Sequence, residues 1–159
     1  MPDVLKIVIC EDEPDQKNML LELLDESNIE NTSVVFANGE DLLADFKQGK
    51  YDLILMDIYM ESELTGIDTI RLIRKKDKDI PVAFVTTSKD HALESYRLSA
   101  MKYIEKPYSK ESIEDILHLA LLKKNDVSPR TWEGQVPGGR RYPGRTPFRK
   151  SNKLNPGIS

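Results

Sequence analysis

The chain has 159 residues, of which 39% are hydrophobic and 31% charged, as expected for one globular domain with at most a small appendage. Its apolar runs fall short of the roughly 20 residues that span a bilayer, and its N-terminus, with Asp3, lacks the basic segment and cleavage site of a secretory signal. The one cysteine, Cys10, excludes a disulfide framework and a cysteine-rich metal site. We therefore predict a cytoplasmic protein without a membrane partner.

Hydrophobic patterns in residues 1–124 predict five strands that alternate with five helices. The first half predicts, in order, a strand at 5–10, a helix from Pro14 to about Asn28, a strand at 33–37, a helix capped by Asn38 and stopped by Gly49, and a strand at 51–57. The second half predicts a helix at 66–76, a strand at 82–87, a short helix at 89–99, a strand at 101–106, and a helix at 109–124 capped by Ser109. The last helix has an apolar face made of Ile113, Ile116, Leu117, Ala120 and Leu121.

The remaining residues, 125–159, differ from this folded domain in charge and composition. Residues 1–127 carry a net charge of −10, whereas residues 128–159 carry +6 and hold five of the nine prolines and five of the eight glycines. Because they show no apolar period, we predict a basic, Gly/Pro-rich, disordered tail. It could be an arm that touches nucleic acid, a linker or sequence added for expression, or out-of-frame sequence after a truncated gene. The last two are favoured, since Tyr142 and Phe148 are too few for a stacking platform.

The alternation of strands and helices predicts an α/β fold. We expect a single doubly wound sheet of five parallel strands, with helices on both faces. The flavodoxin-like strand order 2-1-3-4-5 would make the first and third strands neighbours. Ligands of such folds bind beyond the carboxyl ends of the strands.

Acidic side chains stand at two of these strand ends. Glu11 and Asp12 follow the first strand, and Asp57 ends the third. If those strands are neighbours, the three carboxylates converge, repel one another and raise their pKa values. A hard divalent cation relieves that repulsion, and carboxylates with water suit Mg²⁺. The pattern therefore predicts a magnesium site.

The ends of the last two strands supply a hydroxyl and an ammonium group. Thr86 ends the fourth strand, and Lys106 ends the fifth. Together with Mg²⁺ they predict a phosphoryl-transfer site in which Asp57 attacks phosphorus and becomes an aspartyl phosphate. Mg²⁺ and Lys106 would offset charge on the phosphoryl oxygens, and Thr86 would donate a hydrogen bond to one of them. No general base is needed, because a carboxylate is ionised at neutral pH.

These strand-end segments, in this order and spacing, resemble the receiver domain of two-component response regulators. The similarity covers about residues 5–122 and rests on four segments, Glu11-Asp12-Glu13-Pro14, LILMDIYM, FVTT and YIEKP. It implies that Asp57 accepts a phosphoryl group from a sensor histidine kinase. It also implies that Mg²⁺ binds Glu11, Asp12, Asp57 and the backbone carbonyl of Tyr59.

The resemblance further implies a conformational switch. Thr86 would move toward the phosphoryl group and Tyr103 would turn inward, which changes the face formed by the fourth helix, fifth strand and fifth helix. That face would control a partner or an output domain, with homodimerisation on phosphorylation. The Lys106–Pro107 peptide bond would be cis.

The loop after Asp57 indicates a subfamily. Gly66 follows Asp57 by nine residues, one more than in many receivers. This loop, with ICEDE and FVTTSKDHAL, is most similar to receivers of LytTR-type transcription regulators. Those carry a DNA-binding domain of about a hundred residues, for which this chain has no room. We therefore expect DNA binding only through an output domain that is absent here.

Other interpretations of the same residues stay open. Singly, each acid could be a loop or capping residue, Thr86 a plain strand residue, and Tyr103 part of the core; His91 and His118 are predicted at the surface or its boundary. A Mg²⁺-dependent phosphatase-like enzyme could use Asp57, but its usual second acid is replaced by Tyr59.

Two further possible functions are not enzymatic. A flavin-binding module would need a phosphate-cradling loop after the first strand, where the acids at 11–13 would repel phosphate. An interaction module independent of phosphorylation would not need Asp57 and Lys106. We therefore predict a signalling receiver, not an enzyme.

Overall fold

The computed structural model describes residues 4–125, and the predicted tail lies outside them but for its first residue. The five strands are β1 (Leu5–Cys10), β2 (Asn31–Phe36), β3 (Leu53–Met56), β4 (Val82–Thr86) and β5 (Lys102–Glu105). The five helices are α1 (Pro14–Glu26), α2 (Gly39–Asp45), α3 (Gly66–Lys76), α4 (Ala92–Arg97) and α5 (Lys110–Asn125). Among these helices, none has the length and apolar character needed to cross a membrane.

The strands form one parallel sheet in the predicted order β2-β1-β3-β4-β5. The three central strands are apolar almost throughout, as parallel strands covered on both faces must be. Cys10 at the end of β1 pairs with Met56 at the end of β3. The residues that follow these two, Glu11 and Asp57, therefore leave the sheet side by side.

Each face of the sheet has its own core, because successive side chains of a strand point to opposite faces. One core packs α1 and α5 against residues such as Ile7 and Ile9. The other packs α2 and α3 against residues such as Val8 and Cys10. This arrangement confirms the predicted doubly wound fold with helices on both faces. The buried Cys10 side chain packs as a small apolar group in this second core.

Several predicted element ends are wrong by a few residues. The second strand starts at Asn31 rather than residue 33. α2 ends at Asp45 instead of near Gly49, because Phe46 adopts an extended backbone and buries its ring in the core. α4 is shortened to six residues: it starts late, where the Ser88 hydroxyl accepts a hydrogen bond from the Asp90 N–H and holds the preceding residues in a turn, and it ends at Arg97, two residues before Ser99 with its φ of 61°.

A capping box and a close backbone contact hold the start of α3 beside the residues that follow β3. Thr65 and Asp68 form a capping box, in which each side chain accepts a hydrogen bond from the other's backbone N–H. The Gly66 N–H donates to the Ile58 carbonyl at 2.7 Å. A Cβ atom at position 66 would lie 2.1 Å from the Asp57 carbonyl oxygen, so only glycine fits this approach.

Candidate functional site

Three carboxylates meet at the carboxyl ends of β1 and β3. Glu11, Asp12 and Asp57 each offer an oxygen, and these oxygens lie within 4.8 Å of one another. Glu11 is 3% exposed and Asp57 7%, whereas Asp12 is half-buried. The predicted convergence of these three residues is therefore seen in the structure.

A buried ammonium group partly offsets this negative charge. Lys106 Nζ lies 2.7 Å from Glu11 Oε1 and 3.5 Å from Asp57 Oδ2, and its side chain is 7% exposed. Lys106 follows β5, its N–H donates to the Thr86 carbonyl, and its bond to Pro107 is cis, as predicted. Three carboxylates and one ammonium leave a formal charge of −2, which a divalent cation would neutralise.

Asp57 is the group most affected by these surroundings. Burial raises its pKa from an ordinary 3.8 to about 7, the Glu11 carboxylate adds to this, and the Lys106 ammonium opposes it. A cation among the carboxylates would act in the same direction as Lys106. The donor set of hard carboxylate oxygens therefore fits Mg²⁺.

The acids of the cluster also hold the backbone around the site. Asp12 Oδ2 accepts a hydrogen bond from the Glu61 N–H at 2.7 Å, which joins the segment before α1 to the loop after β3. Glu11 Oε2 accepts from the Glu13 N–H at 3.2 Å, while its other oxygen meets Lys106. A cation at this cluster would share oxygens that already organise the loops.

An open cavity of about 510 Å³ lies above the cluster. It is lined by Asp12, Glu13, Pro14, Tyr59, Met60 and Glu61. Asp12 is the member of the acidic cluster that lines it, while Asp57 is almost fully buried. The cavity therefore reaches the cluster at Asp12.

Thr86 and Tyr103 both contact the turn that follows β4. The fully buried Thr86 hydroxyl accepts from the Ser88 N–H at 3.3 Å. The half-buried Tyr103 hydroxyl donates to the Ser88 carbonyl at 2.6 Å, and the ring lies 6.3 Å from that of Phe84. The structure thus brings these two residues to one turn, while Lys106 joins the acids.

Tyr59 contacts a residue that the sequence did not connect with the site. Its side chain is 53% exposed, and its hydroxyl lies 2.7 Å from His91 Nε2. His91 is half-buried and His118 exposed, as predicted. Glu40, from the first turn of α2, was also missed: its Oε2 accepts from the Leu64 N–H at 3.2 Å. No periodic or spacing signal connects either residue with the site.

Residues 7–118 match the family model of the response regulator receiver domain. The chain belongs to that family. The receiver is 32% identical to the transcriptional regulatory protein RprY of Bacteroides fragilis, over 80% of this chain and 56% of RprY. It is 32% identical to the sensory transduction protein LytR of Staphylococcus haemolyticus, over 72% of this chain and 44% of LytR. The receiver thus spans about half the length of the curated relatives it matches.

Solved structures show the same fold. The response regulatory domain of mrkE from Klebsiella pneumoniae is 30% identical, has a TM-score of 0.68, and aligns over 77% of this chain and 100% of its own. The response regulator TrrA from Thermotoga maritima was solved in complex with Mg²⁺-BeF. It is 28% identical, has a TM-score of 0.64, and aligns over 73% of this chain and 98% of its own. The predicted family and fold class are confirmed, and the LytR and LytT relatives agree with the predicted subfamily.

Proposed function

We propose that this receiver accepts a phosphoryl group on Asp57 from a sensor histidine kinase, with Mg²⁺ as cofactor. The observation that carries this proposal is the buried Asp57 carboxylate, placed with Glu11 and Asp12 in one cluster and 3.5 Å from the Lys106 ammonium. Because the cluster keeps a formal charge of −2, it can bind a divalent cation. Residues 1–124 form the proposed receiver domain.

The proposed reaction is a transfer between two nucleophiles. An oxygen of Asp57 bonds to phosphorus while the bond from phosphorus to the kinase imidazole breaks, and that imidazole keeps the electron pair. Lys106 offsets negative charge on the phosphoryl oxygens. When bound by Glu11, Asp12, Asp57 and the Tyr59 carbonyl, Mg²⁺ supplies further positive charge to those oxygens. The chain acts as a signalling domain. Its only reaction besides this transfer is the turnover of its own aspartyl phosphate.

Two contacts on one turn support the proposed switch. The Ser88 N–H donates to Thr86, and the Ser88 carbonyl accepts from Tyr103. If the Thr86 hydroxyl moves to donate to the phosphoryl group, its bond to Ser88 is lost. The turn before α4 is then released, and Tyr103 can turn inward.

The face that would respond consists of α4, β5 and α5. It carries exposed apolar side chains, among them Leu93, Tyr96 and Leu122. We propose that this face serves a homodimer formed on phosphorylation. DNA binding would belong to an output domain of the kind that the names of transcriptional regulatory relatives suggest.

The test is phosphorylation by a small donor. The protein is incubated with Mg²⁺ and acetyl phosphate, and its intact mass is measured. One phosphoryl adduct is expected, absent in Asp57→Ala and with EDTA, and retained in Asp90→Asn, which removes an exposed acid from the turn before α4. If the folded, Mg²⁺-bound protein takes no adduct, the proposal is wrong and a phosphorylation-independent interaction module is the better interpretation.

A further inference from the structure

The loop after Asp57 is anchored by a side chain that lies outside the acidic cluster. Tyr59, two residues after Asp57, places its hydroxyl 2.7 Å from His91 Nε2. The two rings also meet edge to face, with centroids 5.5 Å apart and planes inclined by 69°. Because His91 is the residue directly before α4, this contact joins the phosphoacceptor loop to that helix.

A contact between the other ring nitrogen of His91 and Glu94 orients the imidazole. His91 Nδ1 lies 2.5 Å from Glu94 Oε1, and a carboxylate oxygen accepts hydrogen bonds. When the ring is neutral, its proton therefore lies on Nδ1 and Nε2 accepts from the Tyr59 hydroxyl. Glu94 is held in turn by Arg71 of α3, at 3.9 Å, and Arg71 also pairs with Asp68 at 3.2 Å.

The backbone of His91 contacts a second residue of the proposed site. Its N–H donates to the Tyr103 hydroxyl at 3.4 Å, and that hydroxyl donates to the Ser88 carbonyl. His91 therefore contacts the loop that follows Asp57 through its side chain, and the proposed switch residue through its backbone.

Other contacts anchor the same loop, and two of them are made through backbone N–H groups. Asp12 accepts from Glu61, and Glu40 accepts from Leu64. The Asp12 carboxylate is one that a bound cation would share. The contact between Tyr59 and His91 uses no cluster carboxylate, so it can hold the loop with and without a cation.

We propose that His91 is a positioning residue for the Mg²⁺ site. Its imidazole holds the Tyr59 side chain, and through it the backbone from which the Tyr59 carbonyl would reach the cation. The inference rests on the proposed function, because that carbonyl is a ligand only if Mg²⁺ binds as proposed there. Groups that orient metal ligands without touching the metal commonly affect affinity, by about tenfold or more.

The histidine ring itself gives the first test. The chain has two histidines, so the exposed His118 of α5 is an internal reference. Long-range ¹H–¹⁵N correlation spectra in mildly alkaline buffer should show His91 as a single tautomer protonated on Nδ1. Tyr59→Phe should shift the His91 Nε2 signal and leave His118 unchanged. The proposal would be overturned if the His91 ring showed the tautomer mixture of an exposed histidine and its Nε2 signal did not change in Tyr59→Phe.

Mg²⁺ affinity gives the second test, measured by calorimetric titration with MgCl₂. His91→Ala and Tyr59→Phe should each weaken binding by about tenfold, and the double variant should be no weaker than either, because both remove one contact. His91→Gln, whose amide oxygen can accept from Tyr59, should recover most of the affinity, and His118→Ala should bind as the unaltered protein does. Unchanged affinity in the His91 variants, or additive losses in the double variant, would contradict the proposal.

The two proposals fail in different ways. If the protein is phosphorylated on Asp57 but its Mg²⁺ affinity does not change when His91 is substituted, only the role of His91 is wrong. If the protein binds Mg²⁺ with the dependence on His91 described above but accepts no phosphoryl group, the phosphoacceptor proposal is wrong and the positioning role stands.

Discussion

Asp57 is the residue at which stability and the proposed chemistry oppose each other. Its buried carboxylate has a pKa of about 7, whereas an unfolded aspartate has a pKa of about 3.9. Between these values the folded protein binds more protons than the unfolded chain, so stability falls as pH rises. The contribution of this group is most favourable below about pH 4 and is lost as pH rises through about 7.

Asp57→Asn should therefore stabilise the metal-free protein near neutral pH. We expect the free energy of unfolding to rise by about 1–3 kcal/mol above pH 7, and the gain to disappear at about pH 4. Urea denaturation across this range measures it. Asp115→Asn, at an exposed site on α5, should change stability by less than about 0.5 kcal/mol. A gain of equal size at both ends of the range would contradict this account.

Lys106→Met should have the opposite effect, because it leaves buried carboxylates without their ammonium partner. Removing one partner of a buried ion pair costs about 3–5 kcal/mol, and we expect a loss of that order near pH 8. The loss should shrink at low pH, where Asp57 is protonated. Denaturation curves at both pH values test this, and a loss that does not depend on pH would indicate that only packing was removed.

At the scale of residues, the sequence could predict which groups converge but not their detailed contacts. The meeting of Glu11 with Asp57 follows from the strand order alone, since both residues end neighbouring strands. The contact between Tyr59 and His91 could not be predicted, because Tyr59 lies in a loop and His91, predicted inside a helix, precedes α4 in the structure. No pattern fixes the direction of either side chain.

At the scale of elements, the start of α3 connects the fold with the site. The capping box at Thr65 fixes where the helix begins, and Gly66 lies against the backbone of Asp57. A shift of this helix would therefore move Asp57, the proposed phosphoacceptor.

Gly66→Ala should disturb both stability and phosphorylation, because its Cβ would meet the Asp57 carbonyl oxygen at 2.1 Å. Gly49→Ala is the matched control: no atom lies within 4 Å of its Cβ, but its φ of +86° strains any other residue. Both should lose about 1–3 kcal/mol, while only Gly66→Ala should slow adduct formation from acetyl phosphate. Equal adduct rates in the two variants would show that the position of α3 does not affect the site.

The existence and order of the elements could be predicted, but several of their ends could not. Apolar periodicity fixes which segments are helical, whereas ends depend on tertiary contacts. α2 stops where Phe46 leaves the helix to enter the core, and α4 starts late because Ser88 stabilises a turn.

At the scale of the whole molecule, the sheet order is what creates the site. It brings acids that follow the first and third strands together with a lysine that follows the fifth, although Glu11 and Lys106 are 95 positions apart in the chain. The fold class could be predicted because every strand and helix carries a strong pattern. The tail at 125–159 has no such pattern, and its predicted disorder stays a prediction.

Mg²⁺ should stabilise the whole domain, because the cluster proposed to bind it exists only in the folded state. At a concentration of about 100 times its Kd, the free energy of unfolding should rise by about 2.7 kcal/mol. Thermal unfolding with MgCl₂, and with NaCl at matched ionic strength, measures this. Asp12→Asn should lose most of the gain. A similar effect of NaCl, or a full gain in Asp12→Asn, would show that the cluster is not the binding site.

Among the three clustered carboxylates, we expect Asp57 to carry the phosphoryl group. The most direct measurement treats the acetyl phosphate adduct with borohydride, which reduces an acyl phosphate to an alcohol, and locates the altered residue by peptide mass spectrometry. We expect Asp57 alone to be converted to homoserine. Reduction at Glu11, Asp12 or any other acid, with Asp57 unchanged, would contradict it.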